Sequence, residues 1–290
     1  MLNNFDLLII GGDARTIEVI KMFASKGANV HLIGFEKEIV EGDNIHYANT
    51  DGMDFSNIDA ILLPVAGTNH HGKVEAVYSD EAVYVTAEMM QQTPSHCTIY
   101  TGTSNTFLQN VAQSCSRQMV VLFSRDDLAI YNAIPTAEGA LKLVMEQTEV
   151  TVHGSSVMVL GFGRVGKTVA RLFSSVGAKV SVAARNPADI ARITEMGLAP
   201  VKLDNLKREI AGIDTVIHTI PHPIMDTSIL SAMTTSTLII DITSAPGGTD
   251  FAFAKEKGIK ALHALGLPGK TAPKTAGRVI GSVLLALLVK

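Results

Sequence analysis

The stretch VMVLGFGRVGKTVARLFSSVGAKVSVAAR, residues 157–185, decides the fold. Val157, Met158, Val159 and Leu160 form an apolar run of the kind a buried parallel strand needs, and it stops at Gly161-Phe162-Gly163-Arg164-Val165-Gly166. Val165, Val169, Leu172 and Val176 then recur at helical spacing, Gly177 ends the helix, and residues 179–184 supply a second strand. A GxGxxG set inside such a βαβ unit is a strong signal for a dinucleotide. Gly161 permits the tight turn, Gly163 lets a pyrophosphate approach the main chain, and Gly166 lets the helix pack closely, its N-terminus facing the anion. Phe162, Arg164 and Val165 complete the cofactor turn.

The end of the second strand selects the cofactor. NAD-binding proteins place an acid there, about 20 residues past the glycines, for the ribose 2′-hydroxyl. Here stand Ala184 and Arg185, and a guanidinium fork suits a 2′-phosphate, so NADP(H) is expected ahead of NAD(H). The bland alternative is an arginine solvated at a strand end. The letters GFGRVGKT also satisfy GxxxxGK[ST], with residues 238–241 posing as the acidic strand of a phosphate-loop ATPase. In that reading Gly163 and Arg185 have no role. In the dinucleotide reading every glycine has one and Lys167 is an early helix residue.

With 290 residues, 47% hydrophobic and 18% charged, the chain is globular and long enough for two domains. A net charge of -4 and no lysine- or arginine-rich run argue against nucleic acid as partner. The N-terminus MLNNFDLLIIGG carries neither a signal peptide nor a membrane span, which points to the cytoplasm. Cys97 and Cys115 fit no zinc or CxxC spacing, so no disulfide is expected.

From the start, residues 6–10 read as a strand entering the turn Gly11-Gly12-Asp13-Ala14-Arg15, followed by a helix over 16–26. This turn puts an acid and a base where a dinucleotide fingerprint puts small residues, so Asp13 and Arg15 suit a substrate, or else form a surface ion pair. Further strands are expected at 28–33, 60–63, 98–100 and 119–123, with helices at 80–90 and 105–116. Alternating strands and helices imply a parallel sheet. His70 and His71, in the loop GTNHHG, are adjacent and lack nearby ligands at useful spacing, so no metal site is expected. Pro135 and Thr136 suggest the start of a helix running to about Gln147. That helix would cross between domains and carry Asn132, Thr136 and Glu138 to a cleft, unless Thr136 and Glu138 serve only as cap and first-turn charge.

Past the fingerprint, strands are expected at 214–219, 237–242 and 259–263, with a helix at 227–233. Thr219, Ile220 and Pro221 lie at a strand's C-terminal end on the cofactor side. The loops holding Ser244, Gly247 and Gly248, and then Pro268, Lys270 and Lys274, follow strands and should face the same cleft. The segment 275–289 is apolar but short, a helix packed on a core. His218 alternates with apolar neighbours, so it reads as an interior histidine before a catalyst. No GxSxG, HExxH or EF-hand pattern appears.

IGGDAR, NAIPTAEGAL, LGFGRVGKTVA, TIPHPI, DITSAPGGTDF and ALGLPGKTAPKTAG, in this order, resemble the A subunits of bacterial dipicolinate synthase along essentially the whole chain. The resemblance implies an α/β fold of two Rossmann-like, doubly wound parallel-sheet domains joined by a crossing helix, with an interdomain cleft. Residues 1–135 would form the substrate domain and 136–270 the NADP-binding domain, with 271–290 a helix returning to the first. It implies NADP⁺-dependent oxidation of dihydrodipicolinate to dipicolinate during spore formation, in the mother-cell cytoplasm. The implied partner is a separate B subunit, and a homo-oligomer is the expected assembly.

Such a dihydropyridine loses a hydride to nicotinamide C4 and a proton to a base, and aromatisation drives the step. Its two carboxylates call for cationic or N–H-rich groups. Arg15, Lys270 and Lys274 are candidates, with Ser244 and the Gly247-Gly248 backbone as donors. For the base, Glu138, His218 and Asp241 remain open. A 2-hydroxy-acid dehydrogenase would supply an Arg after the Asp241 strand, which residues 243–261 lack. An oxidoreductase like alanine dehydrogenase and a non-catalytic NADP-binding sensor protein both stay open, since a fingerprint establishes binding and not turnover.

Overall fold

The computed structural model describes residues 1–288. The chain divides into two compact units, one of Met1–Ala129 together with the segment from Pro273 onward, the other of Ile130–Ala272. The first unit runs β1 (Asp6–Ile10), α1 (Ala14–Ser25), β2 (Asn29–Ile33), β3 (Ile45–Tyr47), β4 (Ala60–Leu62), α2 (Ala87–Gln92), β5 (Thr98–Thr101), α3 (Thr106–Ser114) and β6 (Gln118–Val121). The unit boundary falls inside α4 (Asp126–Gln147). The second unit continues with β7 (Ser156–Leu160), α5 (Arg164–Ser175), β8 (Lys179–Ala184), α6 (Pro187–Glu195), β9 (Ala199–Lys202), α7 (Leu206–Glu209) and β10 (Thr215–His218). It closes with α8 (Thr227–Ser231), β11 (Leu238–Asp241), α9 (Phe251–Glu256), β12 (Lys260–His263) and α10 (Leu267–Thr271), before α11 (Pro273–Leu288) returns to the first unit.

Each unit holds a six-stranded sheet, in the orders β3-β2-β1-β4-β5-β6 and β12-β11-β10-β7-β8-β9, with every pairing parallel. Read from either side, these are one topology: the first strand of each unit lies between the second and the fourth, the Rossmann arrangement, which opens a crevice where the order reverses. Parallel strands covered on both faces must be apolar throughout, because successive side chains point to opposite cores. Leu7 and Ile9 of β1 enter one core while Leu8 and Ile10 enter the other. In β7, Val157 and Val159 face one core, and Met158 and Leu160 the opposite one.

Three expectations are corrected. The helix expected at 80–90 covers only Ala87–Gln92, because Val83 and Val85 are buried while Tyr84 is exposed, a period of two that pairs Tyr84 with Lys73. Pro135 does not start α4 but sits inside it, and Thr136 donates its hydroxyl to Asn132 O at 2.7 Å instead of capping. The loop expected around Pro268 is the short helix α10. Strands β3 and β9 carry no clear sequence signal, being short and, in β9, interrupted by Pro200. Val289, the last residue of the expected closing helix, lies outside the described residues.

Helix α11 packs on α1 through two glycines one turn apart. A Cβ on Gly277 would meet Arg15 O at 2.2 Å, and one on Gly281 would meet Met22 Sδ at 2.8 Å. Ile280, Val283 and Leu284 thereby enter the same core as Ile20 and Phe23. No helix among the described residues is long and apolar enough to cross a membrane. Because the obstacle at Gly277 is backbone, Gly277→Val should lower unfolding free energy by about 1–3 kcal/mol in urea titration. Gly52→Ala, with nothing within 4 Å of the new methyl, should leave it within about 0.5 kcal/mol.

Candidate functional site

In the second unit the three fingerprint glycines answer three different demands. Gly161 takes φ +99°, and a Cβ there would strike Thr219 Oγ1 at 2.7 Å. Gly166 lies so near the turn that a Cβ would stand 2.2 Å from Gly161 O. At Gly163 a Cβ would meet nothing within 4 Å, which leaves the main chain open to an approaching group. Gly163 is also the N-cap of α5 and supplies no side-chain cap, so the helix's first N–H groups keep their capacity for an anion. This arrangement fits a pyrophosphate.

A groove of about 320 Å³ runs from this turn along the ends of β7, β8 and β10. Phe162, Gly163, Ala184, Arg185, Thr219, Ile220 and Pro221, all named from the sequence, are among the residues that line it. Thr219 is fixed by donating Oγ1 to Leu160 O at 2.7 Å. Arg185 is exposed and makes no hydrogen bond or ion pair among the described residues. Asn186, Asp189 and Leu203 also line the groove, and sequence reasoning misses them. The dipeptide Asn186-Pro187, an N-cap and first helical position, is the signal that α6 brings Asp189 there. Arg164, Val165 and Gly166 belong to α5 behind the turn, and Pro268 is buried in α10; none is among the groove's lining residues. Lys167 places its ammonium 5.1 Å from the centroid of the Phe162 ring.

Two of the three candidate bases are closed to a substrate. Asp241 has no exposed surface, and its carboxylate accepts from Thr243 N (3.0 Å), Thr243 Oγ1 (2.6 Å), Gly248 N (2.8 Å) and Thr249 Oγ1 (2.8 Å). Burial pushes its pKa up, but these donors outweigh burial and hold it below the usual carboxylate value. It is an anchor for residues 241–249, and it has no lone pair left for the magnesium ion a phosphate-loop ATPase needs. His218 is also fully buried, 3.8 Å from Asp241 by Nδ1, too far for a hydrogen bond, and neither ring nitrogen has a partner. Burial lowers its pKa to about 4, with Asp241 pulling weakly the other way, so the ring is neutral. The backbone donors expected at Gly247 and Gly248 are engaged as well, with Ser244 O and Asp241 Oδ2. Glu138 is exposed on α4, and Ser244 and Lys270 are exposed. Thr136 is buried and Asn132 Oδ1 is buried without a partner.

In the first unit the corresponding turn is sealed. Gly12 N donates to Glu75 O at 2.7 Å, and Val77 N donates back to Gly12 O at 3.1 Å. Asp13 caps α1 by accepting from Arg15 N at 2.9 Å. The Arg15 guanidinium meets the same carboxylate in a two-pronged pair, at 3.0 Å from Nε and 2.6 Å from Nη2, and is itself buried. Asp13 and Arg15 therefore form an ion pair, buried at Arg15 and partly exposed at Asp13. Lys274, in α11, is exposed. No group of three or more His, Cys, Asp or Glu suited to a metal occurs among the described residues.

The buried histidine sets an acid limit on stability. Its folded pKa of about 4 lies below the unfolded value of 6.5, so the unfolded chain binds the extra proton between those values. Stability should be fully present above pH 6.5 and fall by about 3 kcal/mol as the pH drops to 4. His218→Leu should flatten that part of the pH profile in denaturant titrations, whatever its effect at pH 8.

Two families match the chain in sequence: the N-terminal domain of the dipicolinate synthase A subunit, over residues 6–123, and the NAD binding domain of D-isomer specific 2-hydroxyacid dehydrogenase, over residues 134–246. The second match, with the glycine turn and groove, makes the second unit a nicotinamide-dinucleotide-binding domain of oxidoreductase type. The dipicolinate synthase A subunit of Bacillus subtilis (strain 168) is 47% identical over 290 residues, covering 100% of this chain and 98% of the relative. The crystal structure of the A subunit from Bacillus halodurans superposes with a TM-score of 0.97 at 45% identity, covering 100% of this chain and 99% of that one. That of the Bacillus subtilis protein gives 0.94 at 47% identity, covering 100% and 97%. A transhydrogenase from Sinorhizobium meliloti, 15% identical with a TM-score of 0.69 over 97% and 93%, shares the fold. Identity of this degree along the full length means that the chain belongs to the family of dipicolinate synthase A subunits.

Proposed function

We propose that the chain oxidises dihydrodipicolinate to dipicolinate with NADP⁺, as the A component of a two-component synthase working during spore formation in the mother-cell cytoplasm. The observation that carries this reading is the full-length likeness to dipicolinate synthase A subunits, joined to a groove whose second strand ends in Arg185 where an NAD site carries an acid. When bound, the nicotinamide accepts the hydride. The chain's own residues then bind and orient. The turn at Gly161 and Gly163 and the N-terminus of α5 hold the pyrophosphate, Arg185 takes the 2′-phosphate, and Thr219, Ile220 and Pro221 fit the ribose.

The substrate's two carboxylates need cations. Lys270 and Lys274 are exposed and make no ion pair among the described residues, so they suit this role better than Arg15, whose fork is committed to Asp13. Of the three candidate bases only Glu138 reaches solvent, and in this reading it takes the proton released as the ring becomes aromatic. The N–H and hydroxyl donors on Asp241 keep the loop that carries Ser244 in one shape. The partners in this reading are further copies of this chain and a second, separately encoded B subunit.

Titration of the purified chain should show NADPH bound at least about tenfold more tightly than NADH, a difference of roughly 1.4 kcal/mol. Arg185→Asp should remove that preference and weaken NADPH by more than about tenfold, while Lys167→Ala leaves it nearly intact. Equal affinity for the two cofactors in the parent chain would overturn the assignment of Arg185. Dihydrodipicolinate, supplied with NADP⁺ and the B subunit, should give NADPH absorbance, and Glu138→Gln should reduce kcat by about a hundredfold or more. NADPH binding with no turnover, partner present, would make the chain a cofactor sensor.

A further inference from the structure

The two units share one topology, so the groove at the ends of β7, β8 and β10, which reaches Leu203 just past β9, has a counterpart at the ends of β1, β2, β3 and β4. That counterpart is half closed and half open. Its phosphate end is closed. Backbone from Glu75 to Val77 lies across Gly11 and Gly12, where a Cβ on Gly11 would meet Glu75 O at 2.5 Å. The anion place at the start of α1 is filled by the chain's own Asp13 carboxylate.

The other end holds a cavity of about 410 Å³ at the C-terminal ends of β2 and β3, within the range of small-molecule sites. Leu32, Phe35, Ile39 and Tyr47 form its apolar walls, with Glu36 and Asn49 among its polar groups. Its wall is tied in place. Tyr47 Oη accepts from Val40 N at 2.6 Å and donates to Glu38 O at 3.0 Å, Phe35 stacks on Tyr78 with centroids 5.9 Å apart, and Lys37 pairs with Asp80. Against that fixed wall Ile39 stays 82% exposed at the rim. An adjoining hollow shares Glu36 and Asn49 and adds Lys37, Asp80 and Glu81, and with Lys37 paired to Asp80 the uncompensated Glu36 and Glu81 leave the surroundings net acidic and repelling to phosphate.

We propose that this cavity binds an unphosphorylated purine nucleoside. The flat base lies between the apolar walls, Asn49 offers an amide donor and acceptor to its edge, and Glu36, a few residues beyond β2, accepts from the ribose diol as the acid of an NAD site does. The sealed turn and the acidic rim exclude the nucleotide. The cavity is built from none of the residues that line the dinucleotide groove, so the proposal does not depend on the activity proposed above.

The test is calorimetric titration of the full chain with adenosine, with AMP and with NADPH. Adenosine should bind one site, unaffected by saturating NADPH, and AMP should bind it at least about tenfold more weakly. Glu36→Gln and Ile39→Asp, both exposed positions, should each weaken adenosine by about tenfold and leave NADPH affinity unchanged. Should either variant misfold, the competition on the parent chain decides alone. Absence of adenosine binding at millimolar concentration, displacement of adenosine by NADPH, or tighter binding of AMP would each overturn the proposal.

Discussion

The second unit depends on how closely α5 approaches the turn at the end of β7. With no side chain at Gly166, the helix comes within 2.2 Å, measured from a notional Cβ, of the Gly161 carbonyl oxygen. At that distance the helix axis aims its uncapped N–H groups at the crevice, so that a partial positive charge stands at the end of the strand. The approach constrains its neighbours in turn. Gly161 must adopt φ +99°, and Thr219, just past β10, bonds Leu160 O and borders the same gap. A methyl at Gly166 would push the helix away and weaken the anion site before any ligand contact was lost, whereas one at Gly161 would strike the Thr219 and Ile220 side chains and strain the turn itself.

The first unit shows that this architecture alone does not make a nucleotide site. Sheet order and the position of the first turn are the same, yet Asp13 is both the cap of α1 and the partner of Arg15, and Glu75 O occupies the Gly12 N–H. The chain there supplies its own anion and its own acceptor. A fold determines where a crevice opens; side chains and crossing loops determine what fills it.

What can be read from the sequence follows from how local the cause is. Phe162, Gly163, Ala184, Arg185, Thr219, Ile220 and Pro221 can be named from the sequence because a glycine turn and strand ends are local features with fixed spacing, which Asn186, Asp189 and Leu203 lack. The burial of Arg15 is not legible in this way, because it is a product of tertiary packing that no local spacing displays; even its backbone carbonyl is met by Gly277 of α11, more than 250 residues away. Likewise the helix expected at 80–90 fails because its apolar residues are held by pairing with the chain near Lys73 and Val74, a contact that outweighs local propensity. Pro135 misleads for a related reason. At a helix start and in a helix interior the residue looks the same in sequence, and only the turns before it, residues 126–134, distinguish the two.

Asp241 and His218 are both legible as polar residues at the ends of buried strands, but not their division of labour. A buried carboxylate costs several kcal/mol of hydration, and four donors at 2.6–3.0 Å recover it. A charged His218 would gain an attraction across 3.8 Å, yet burial outweighs that gain and its pKa stays near 4. The charge therefore rests on one residue alone. A hydrophobic side chain in place of Asp241 could fill the volume, but it would leave Gly248 N and the Thr243 and Thr249 hydroxyls without an acceptor. Residues 241–249 would then lose their single shape before the unit lost its core.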